Sequence, residues 1–529
     1  MVLSMSQADT TNGIAPNAHR LLWAGFMAIL AAGVGFSVRG GILGQWADQF
    51  GFTMTELGAI TGGGLTGFGI IIILTSLIAD KIGYGKLMAL AFVLHFGSAV
   101  LTLAAPAAFE SGGKDAAFNC LFWGMFLFAI GNGLCEAVVN PLTATLFPNN
   151  KTHYLNILHA GWPAGLVLGG LASTFMAAKL SDSGEVIAKA ADWKIQMSLF
   201  LIPVILYGLM ILGQKFPKSE AASAGVSTAE MLSTVFAPLM LVLLVIHAMV
   251  GYVELGTDSW IAKITGSIMA SPAKGLGLFV YTSMLMFCLR FVAGPIVHKV
   301  SPLGLLFMSG VLGALGLTLL GNATTVIACV VAATVYALGK TFLWPTMLAV
   351  ASERFPKGGA IAIGMLGGVG MLSAGLLGGP AIGFKQDYNA SKNLQEVSKE
   401  TYDRYKAGNE SSFFGFKTVG LDGQKVGTLE DGGKDLTRAV EELKRTDENT
   451  TKLATWWADA KQHVETDKKP VQEAGVYGGK MALKLTAAVP ATMAVLYLLL
   501  ILYFKTQGGY KALNVAAEEQ VREHATPEA

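Results

Sequence analysis

Six ionisable side chains lie within or at the ends of long apolar stretches: Arg39, Glu136, Glu254, Asp258, Arg290 and Lys340. At a lipid-facing helix centre each costs about 2.5–3.5 kcal/mol, and six together come to about 15–20 kcal/mol, comparable to the net stability of a whole domain. Such groups must face a watery cavity, pair with one another, or sit at helix ends. In a transporter the first two options mean the substrate path. The richest stretch holds Asn132, Glu136 and Asn140, spaced i, i+4, i+8 along one slowly turning helical stripe. Two amides and a carboxylate supply donors and acceptors suited to a polyhydroxy ligand. Pro141 follows directly and removes a backbone donor, which allows a kink. A polar helix–helix contact is the competing reading of this stripe.

Further along, GYVELGTDSW (251–260) places Glu254 and Asp258 on one face, with Trp260 positioned either to stack on a sugar ring or to join an interfacial aromatic belt. Lys340 and Trp344 stand one turn apart, as do His159 and Trp162 nearly so. A histidine that only satisfies packing is the alternative for His159. The candidate substrate-binding set is therefore Arg39, Asn132, Glu136, Asn140, His159, Trp162, Glu254, Asp258, Lys340 and Trp344. A second kind of site is a loop, SLIADKIGYGK (76–86), with the charged pair Asp80 and Lys81 among glycines. A degenerate copy, CLRFVAGPIVHKVSPLG (288–304), has His298 where Asp80 would stand, and Arg290 is assigned to the same latch. Loops of this kind hold two halves together by charge and helix-dipole contacts.

The elements that must position these groups are membrane helices. The chain has 529 residues, 53% hydrophobic and 14% charged, where a soluble domain carries about 25% charged residues. Apolar runs near 20–44, 56–79, 87–106, 117–146, 155–178, 195–213, 235–262, 275–297, 303–321, 324–350, 359–383 and 480–504 are long enough to cross a bilayer. The expected fold class is an all-α membrane protein of about twelve transmembrane helices. The 64 glycines suit close helix approach in lipid. Arg20, Lys81, Lys86, Lys151, Lys215, Lys218, Lys299, Arg354, Lys357 and Lys505 fall on one side, against Lys114, Lys179, Lys189, Lys194, Lys263 and Lys274 on the other. By the positive-inside rule both termini are expected in the cytoplasm. The first eighteen residues are polar and lack a basic start, so no cleaved leader is expected. Cys120, Cys135, Cys288 and Cys329 all fall in apolar stretches and suggest neither disulfides nor a metal site. No phosphate-binding loop, redox CxxC or HExxH is present, and a net charge of +2 predicts no nucleic-acid partner. No cofactor is expected and the chain does not read as an enzyme.

The chain also repeats. AIGNGLCEAVVNPLTATLFP (129–148) and ALGKTFLWPTMLAVASERFP (337–356) share the spacing from Gly131 to Pro148 and from Gly339 to Pro356, and each precedes a Gly-rich helix. A duplication of six helices follows: residues 1–213 form one bundle, 214–234 a cytoplasmic linker, and 235–529 a second bundle. Repeats of this sort place the substrate site at their interface, near the bilayer midplane. The second bundle carries a polar insert at 384–478, expected outside the membrane on the extracytoplasmic side. A solvated lid with no chemistry is the favoured reading of this insert, and Trp456 and Trp457 anchoring it to the rest of the protein or to the membrane surface is the alternative.

The segment GNGLCEAVVNPLTATLFPNNKTHYLNILHAGWPAG (131–165) resembles the fucose–proton symporter family of the major facilitator superfamily, through Gly133, Glu136, Asn140, Pro141, Pro148, His153, Asn156 and Gly165. Gly251, Glu254, Gly256 and Trp260 are similar to that family as well, and Ala79-Asp80-Lys81-Ile82-Gly83 to the general superfamily loop. The resemblance implies two six-helix bundles, alternating access, and monosaccharide import coupled to protons. It implies that Glu136 contacts substrate or carries the proton. In the first helix the family has an acidic residue, whereas GFSVRGGILGQW (35–46) offers Arg39 and no carboxylate before Asp48. The expected function is thus secondary transport of a small polar solute, a monosaccharide first, with a proton. An organic-anion facilitator or a non-transporting nutrient sensor are the alternatives. The expected partners are the solute, a proton and the lipid bilayer, with the chain a monomer in a bacterial inner membrane.

Overall fold

The computed structural model describes residues 15–52, 54–61, 64–176, 179–180, 186–188, 191–442, 448–515 and 518. Lys189 and the extreme termini, on which the topology reading draws, lie outside them. Twelve helices are long and apolar enough to cross a membrane. They are α1 (Ala18–Phe50), α2 (Met54–Thr61 and Gly64–Ser76), α3 (Tyr84–Leu103), α4 (Ala105–Leu146), α5 (Pro148–Met176), α6 (Trp193–Ile211), α7 (Pro238–Ile268), α8 (Pro272–Arg290), α9 (Pro302–Asn322), α10 (Val326–Arg354), α11 (Pro356–Val397) and α12 (Val464–Thr486 continued by Ala488–Thr506). Two short hairpins lie between spans: β1 (Lys179–Leu180) with β2 (Val186–Ala188), and β3 (Ser411–Phe413) with β4 (Phe416–Thr418).

Glycine sets the closest crossings. A Cβ on Gly33 of α1 would fall 3.0 Å from the Gly165 Cα of α5, so only hydrogen fits between those backbones. Gly256 of α7 and Gly378 of α11 meet in the same way, at 2.7 Å. Both helices widen into a π-turn there, at Tyr252–Gly256 and Ala374–Gly378. Such turns frequently mark functional sites.

The internal repeat is visible in the backbone. Phe147 ends α4 with φ −130° and ψ 63°, and Phe355 ends α10 with φ −129° and ψ 58°. In each case the phenylalanine N–H reaches back four residues, to Thr143 O and Ala351 O, and a 3-10 turn begins at the following proline. These two corners lie at the sealed end of the molecule. Every residue from Gly131 to Ala144 and from Gly339 to Glu353 is buried.

Towards the other end α11 and α12 run beyond the apolar zone side by side, with Gly478 facing the Gln386 and Ala390 backbone. This pair is a helical stalk for the insert. The insert has its own core of Leu394, Tyr402, Tyr405, Leu429, Val471 and Ala474. Its tryptophans pack within it. Trp456 donates to Arg404 O at 3.1 Å and meets Tyr405 edge-on, while Trp457 lies against Gly433. Both hold the insert to itself, because a domain this small needs its large aromatics for its own core.

Candidate transport site

Glu136 is 6% exposed and its Oε2 accepts from Asn140 Nδ2 at 2.6 Å. Asn140 Oδ1 in turn accepts from His159 Nε2 at 2.8 Å. The i, i+4 spacing on α4 makes the first bond, and α5 crosses close enough to make the second. Asn132 does not join this chain. Its Oδ1 accepts from His95 Nε2 at 3.0 Å, and Tyr207 OH donates to His95 Nδ1 at 2.9 Å. The slow turn of the stripe therefore splits it: Asn132 faces α3 and α6, whereas Glu136 and Asn140 face α5 and the other half.

Across that interface lie two ion pairs. Glu254 Oε1 accepts from Arg290 Nη2 at 2.9 Å, with side chains 4% and 1% exposed. One turn on, Asp258 Oδ1 meets Lys340 Nζ. Glu254 sits in the π-turn of α7, where Tyr336 OH also donates to Val253 O at 2.7 Å.

Arg290 corrects the sequence reading. It was placed in a loop latch, but it is buried at the centre and joins the halves. Its Nη1 donates to His159 O at 2.5 Å and its Nε to Thr341 O at 2.9 Å. The cause is covalent. Pro163 and Pro345 stand four residues after those carbonyls and have no N–H to give them. Two proline-freed acceptors plus Glu254 draw the guanidinium inward from the end of α8.

Arg39 and Glu136 do not touch. The Arg39 guanidinium donates to Ser98 Oγ at 2.8 Å and to Gly35 O at 3.3 Å, and lies 4.0 Å from the Phe128 ring centroid and 5.0 Å from that of Phe200. Hydrogen bonds and cation–π contacts replace a carboxylate there. Trp162 packs edge-on against Phe36 in the same half. Trp260 donates to Gly379 O at 2.8 Å and ties α7 to α11. Asp80 stands beside Gly359, where α11 straightens, while Lys81 is exposed. A carboxylate at a helix start suits the latch role expected of this loop.

Trp344 meets a residue the sequence reading passed over. His247 of α7 is fully buried, 4.6 Å from the Trp344 ring, with neither ring nitrogen hydrogen-bonded among the described residues. Glu254 Oε2 and Asn156 Oδ1 are likewise unpaired. Buried polar atoms left so are uncommon and call for an explanation. His95 and Tyr207 were also missed. Single polar residues in apolar helices carry no spacing signal, and only the packed bundle brings these together.

The sealed end is held by its own polar set. Thr152 Oγ1 of α5 donates to Glu353 Oε1 of α10 at 3.1 Å, Lys151 Nζ to Ser352 O at 3.3 Å, and Tyr510 OH to Glu353 Oε2 at 2.7 Å. Among the described residues no cluster of His, Cys, Asp and Glu could hold a metal.

Comparison with known proteins adds the following. A family model described as Major Facilitator Superfamily matches residues 25–379. No curated protein matches the sequence. A variant of the E. coli fucose:proton symporter, FucP, is similar in structure, with TM-score 0.55 and 16% identity over 72% of this chain and 92% of that one. The proton:xylose symporter XylE bound to 6-bromo-6-deoxy-D-glucose gives 0.56 at 15%, covering 73% and 90%. The human organic anion transporter MFSD10 gives 0.56 at 12%, covering 91% and 100%. At such identities the likeness is one of fold.

Proposed function

This chain belongs to the Major Facilitator Superfamily, and from that premise we propose that it moves a small polar solute, a monosaccharide first of all, together with a proton. The observation that carries the reading is the company Glu136 keeps. Glu254 and Asp258 each contact a cation directly, whereas Glu136 is held by the neutral amide of Asn140. A buried carboxyl without a contacting cation can exist protonated, and it can ionise when water or a cation approaches. Arg290 is linked to it through His159, whose carbonyl accepts from the guanidinium and whose ring donates to Asn140. Proton release at Glu136 can thus follow any movement that brings Arg290 closer, and α8 carries Arg290 in the opposite half. The unpaired oxygens of Glu254 and Asn156 and the ring nitrogens of His247 are hydrogen-bonding groups of the kind a hydroxyl-rich solute takes. Further parts of the reading are that both termini are cytoplasmic, that the insert is extracytoplasmic, and that the chain works as a monomer in a bacterial inner membrane.

The test is uptake of labelled monosaccharides into proteoliposomes with and without an inward proton gradient, for wild type and Glu136→Gln. The expected result is gradient-driven accumulation in wild type and its loss in Glu136→Gln, with equilibrium exchange partly kept. Unchanged accumulation in Glu136→Gln would remove this residue from coupling. A second reading, an organic-anion facilitator, is favoured by one observation: among the described residues, Arg39 is a buried cation that contacts no carboxylate. It calls for uptake of organic anions that is indifferent to the gradient and lost in Arg39→Met.

A further inference from the structure

The β3–β4 hairpin of the insert carries its least covered aromatic side chains. Phe414 is 77% exposed and Phe416 is 69% exposed. The turn between the strands is Phe414-Gly415, with φ of 48° and 83°, and the flanking Phe413 and Phe416 are paired. Positive φ at both central positions is the tight hairpin geometry that Asn-Gly fills with little strain. A phenylalanine there is strained and gains nothing from the insert's own core. Its presence points to a contact outside the protein.

The height of the hairpin says which contact. No charged residue occurs between Lys357 and Lys385 on α11. From Gly359 to Phe384 the helix rises about 37 Å, slightly more than the about 30 Å hydrocarbon core. Phe384 therefore stands at the bilayer edge, beside the Trp260 ring that approaches Gly383. Phe413 stacks on Phe384 at 6.0 Å, and Phe414 is 4.8 Å from Phe413. Leu377, Phe384 and Tyr388 follow one another at i, i+7 and i+11, and Leu377 and Tyr388 are 36% and 38% exposed. An apolar stripe on α11 thus continues into the hairpin without a polar break. Aromatic rings are the side chains best suited to the headgroup level.

We propose that the hairpin is a membrane anchor, with Phe414 and Phe416 wedged among the lipid headgroups and upper acyl chains of the leaflet on the insert's side. The insert is then tied to the bilayer as well as to its stalk. The contact is to lipid as such, since Lys417 beside it is already engaged with Glu410 at 2.9 Å.

The test uses full-length protein with its four cysteines replaced by serine, reconstituted in phosphatidylcholine liposomes. Spin labels are placed by Phe414→Cys, Phe416→Cys and, as a reference on the exposed insert surface, Gly427→Cys. Collisions with oxygen and with a water-soluble nickel chelate are then compared. The expected result is oxygen-favoured collisions at 414 and 416 and chelate-favoured collisions at 427. Chelate access at 414 and 416 equal to that at 427 would overturn the anchor. So would protection that appears only at high protein density together with spin–spin broadening, because the occupant would then be a second copy. Should Phe414→Cys fail to fold, Phe416→Cys gives the same reading from an ordinary strand position.

Discussion

Arg39 and Arg290 are buried cations stabilised in opposite ways. Arg290 has a carboxylate and two proline-freed carbonyls; Arg39 has a hydroxyl, one carbonyl and two phenyl rings. Removing one partner of a buried ion pair typically destabilises by about 3–5 kcal/mol, because the other charge is left unpaired. Arg290→Met should therefore lower the apparent Tm of the detergent-purified protein sharply, and Arg290→Met with Glu254→Gln should recover much of the loss. If the double variant is no better than the single, the pair does not act as a unit. The same cycle on Arg39→Met and Glu136→Gln should be additive within about 0.5 kcal/mol, as expected of sites that share no partner. At this scale sequence spacing told a partial story. Glu136–Asn140 follows from i, i+4, and Glu254 and Asp258 do share a face. Arg290 was misplaced because its acceptors, His159 O and Thr341 O, are far away in sequence. His247 gave no signal at all, being one polar residue in an apolar run.

Helix ends and helix breaks do the positioning. Pro163 and Pro345 leave carbonyls for Arg290, so restoring a backbone donor should compete with it. Pro163→Ala supplies an N–H to His159 O, and a lost hydrogen bond to a charged group is worth about 1.5–3 kcal/mol. The expected consequence is a rise of about ten-fold or more in the KM for transport, with Glu254→Gln adding less in this background than in wild type. An unaltered KM would mean that the His159 carbonyl contributes nothing to holding Arg290. The matched corners at Phe147 and Phe355 explain why the sequence repeat was readable: in each a phenylalanine ends the helix and the next residue, a proline, opens a 3-10 turn, which leaves a fixed spacing. The polar contacts that seal this end were not readable, since Thr152, Glu353 and Tyr510 come from three separate segments. Glu353→Ala removes two hydrogen bonds at once, worth about 1 kcal/mol each. A cysteine at Ala349, buried in the sealed state, should then react with a small thiol reagent at least about five-fold faster. Equal rates would show that the seal rests on packing alone.

The whole molecule combines a legible membrane part with a less legible cap. Twelve apolar runs became twelve helices because length and hydropathy alone decide what can span a bilayer. The insert gave composition but no fold, since its core is small and drawn from four separate helices, two of them the stalk. It touches both halves: through the stalk it belongs to α11 and α12, and Arg438 reaches Asp48 at the end of α1 at 3.0 Å. That pair is 47% exposed on both sides, and exposed pairs contribute about 0–1 kcal/mol. It cannot lock the halves against a transport cycle, so Arg438→Ala should leave the transport rate within about five-fold of wild type. The side of the membrane on which the insert stands decides which face the solute meets first. If it stands outside, as proposed from loop charge, the sealed corners of α4 and α10 close the cytoplasmic end. Gly427 is helical, exposed and has nothing within 4 Å of an added Cβ. In intact spheroplasts Gly427→Cys should react with a membrane-impermeant maleimide, while a cysteine at Lys218, between α6 and α7, should react only after the membrane is opened. The reverse pattern would invert the protein in the bilayer and turn the sealed end outward, leaving the helices unchanged but reversing which side the conformation serves.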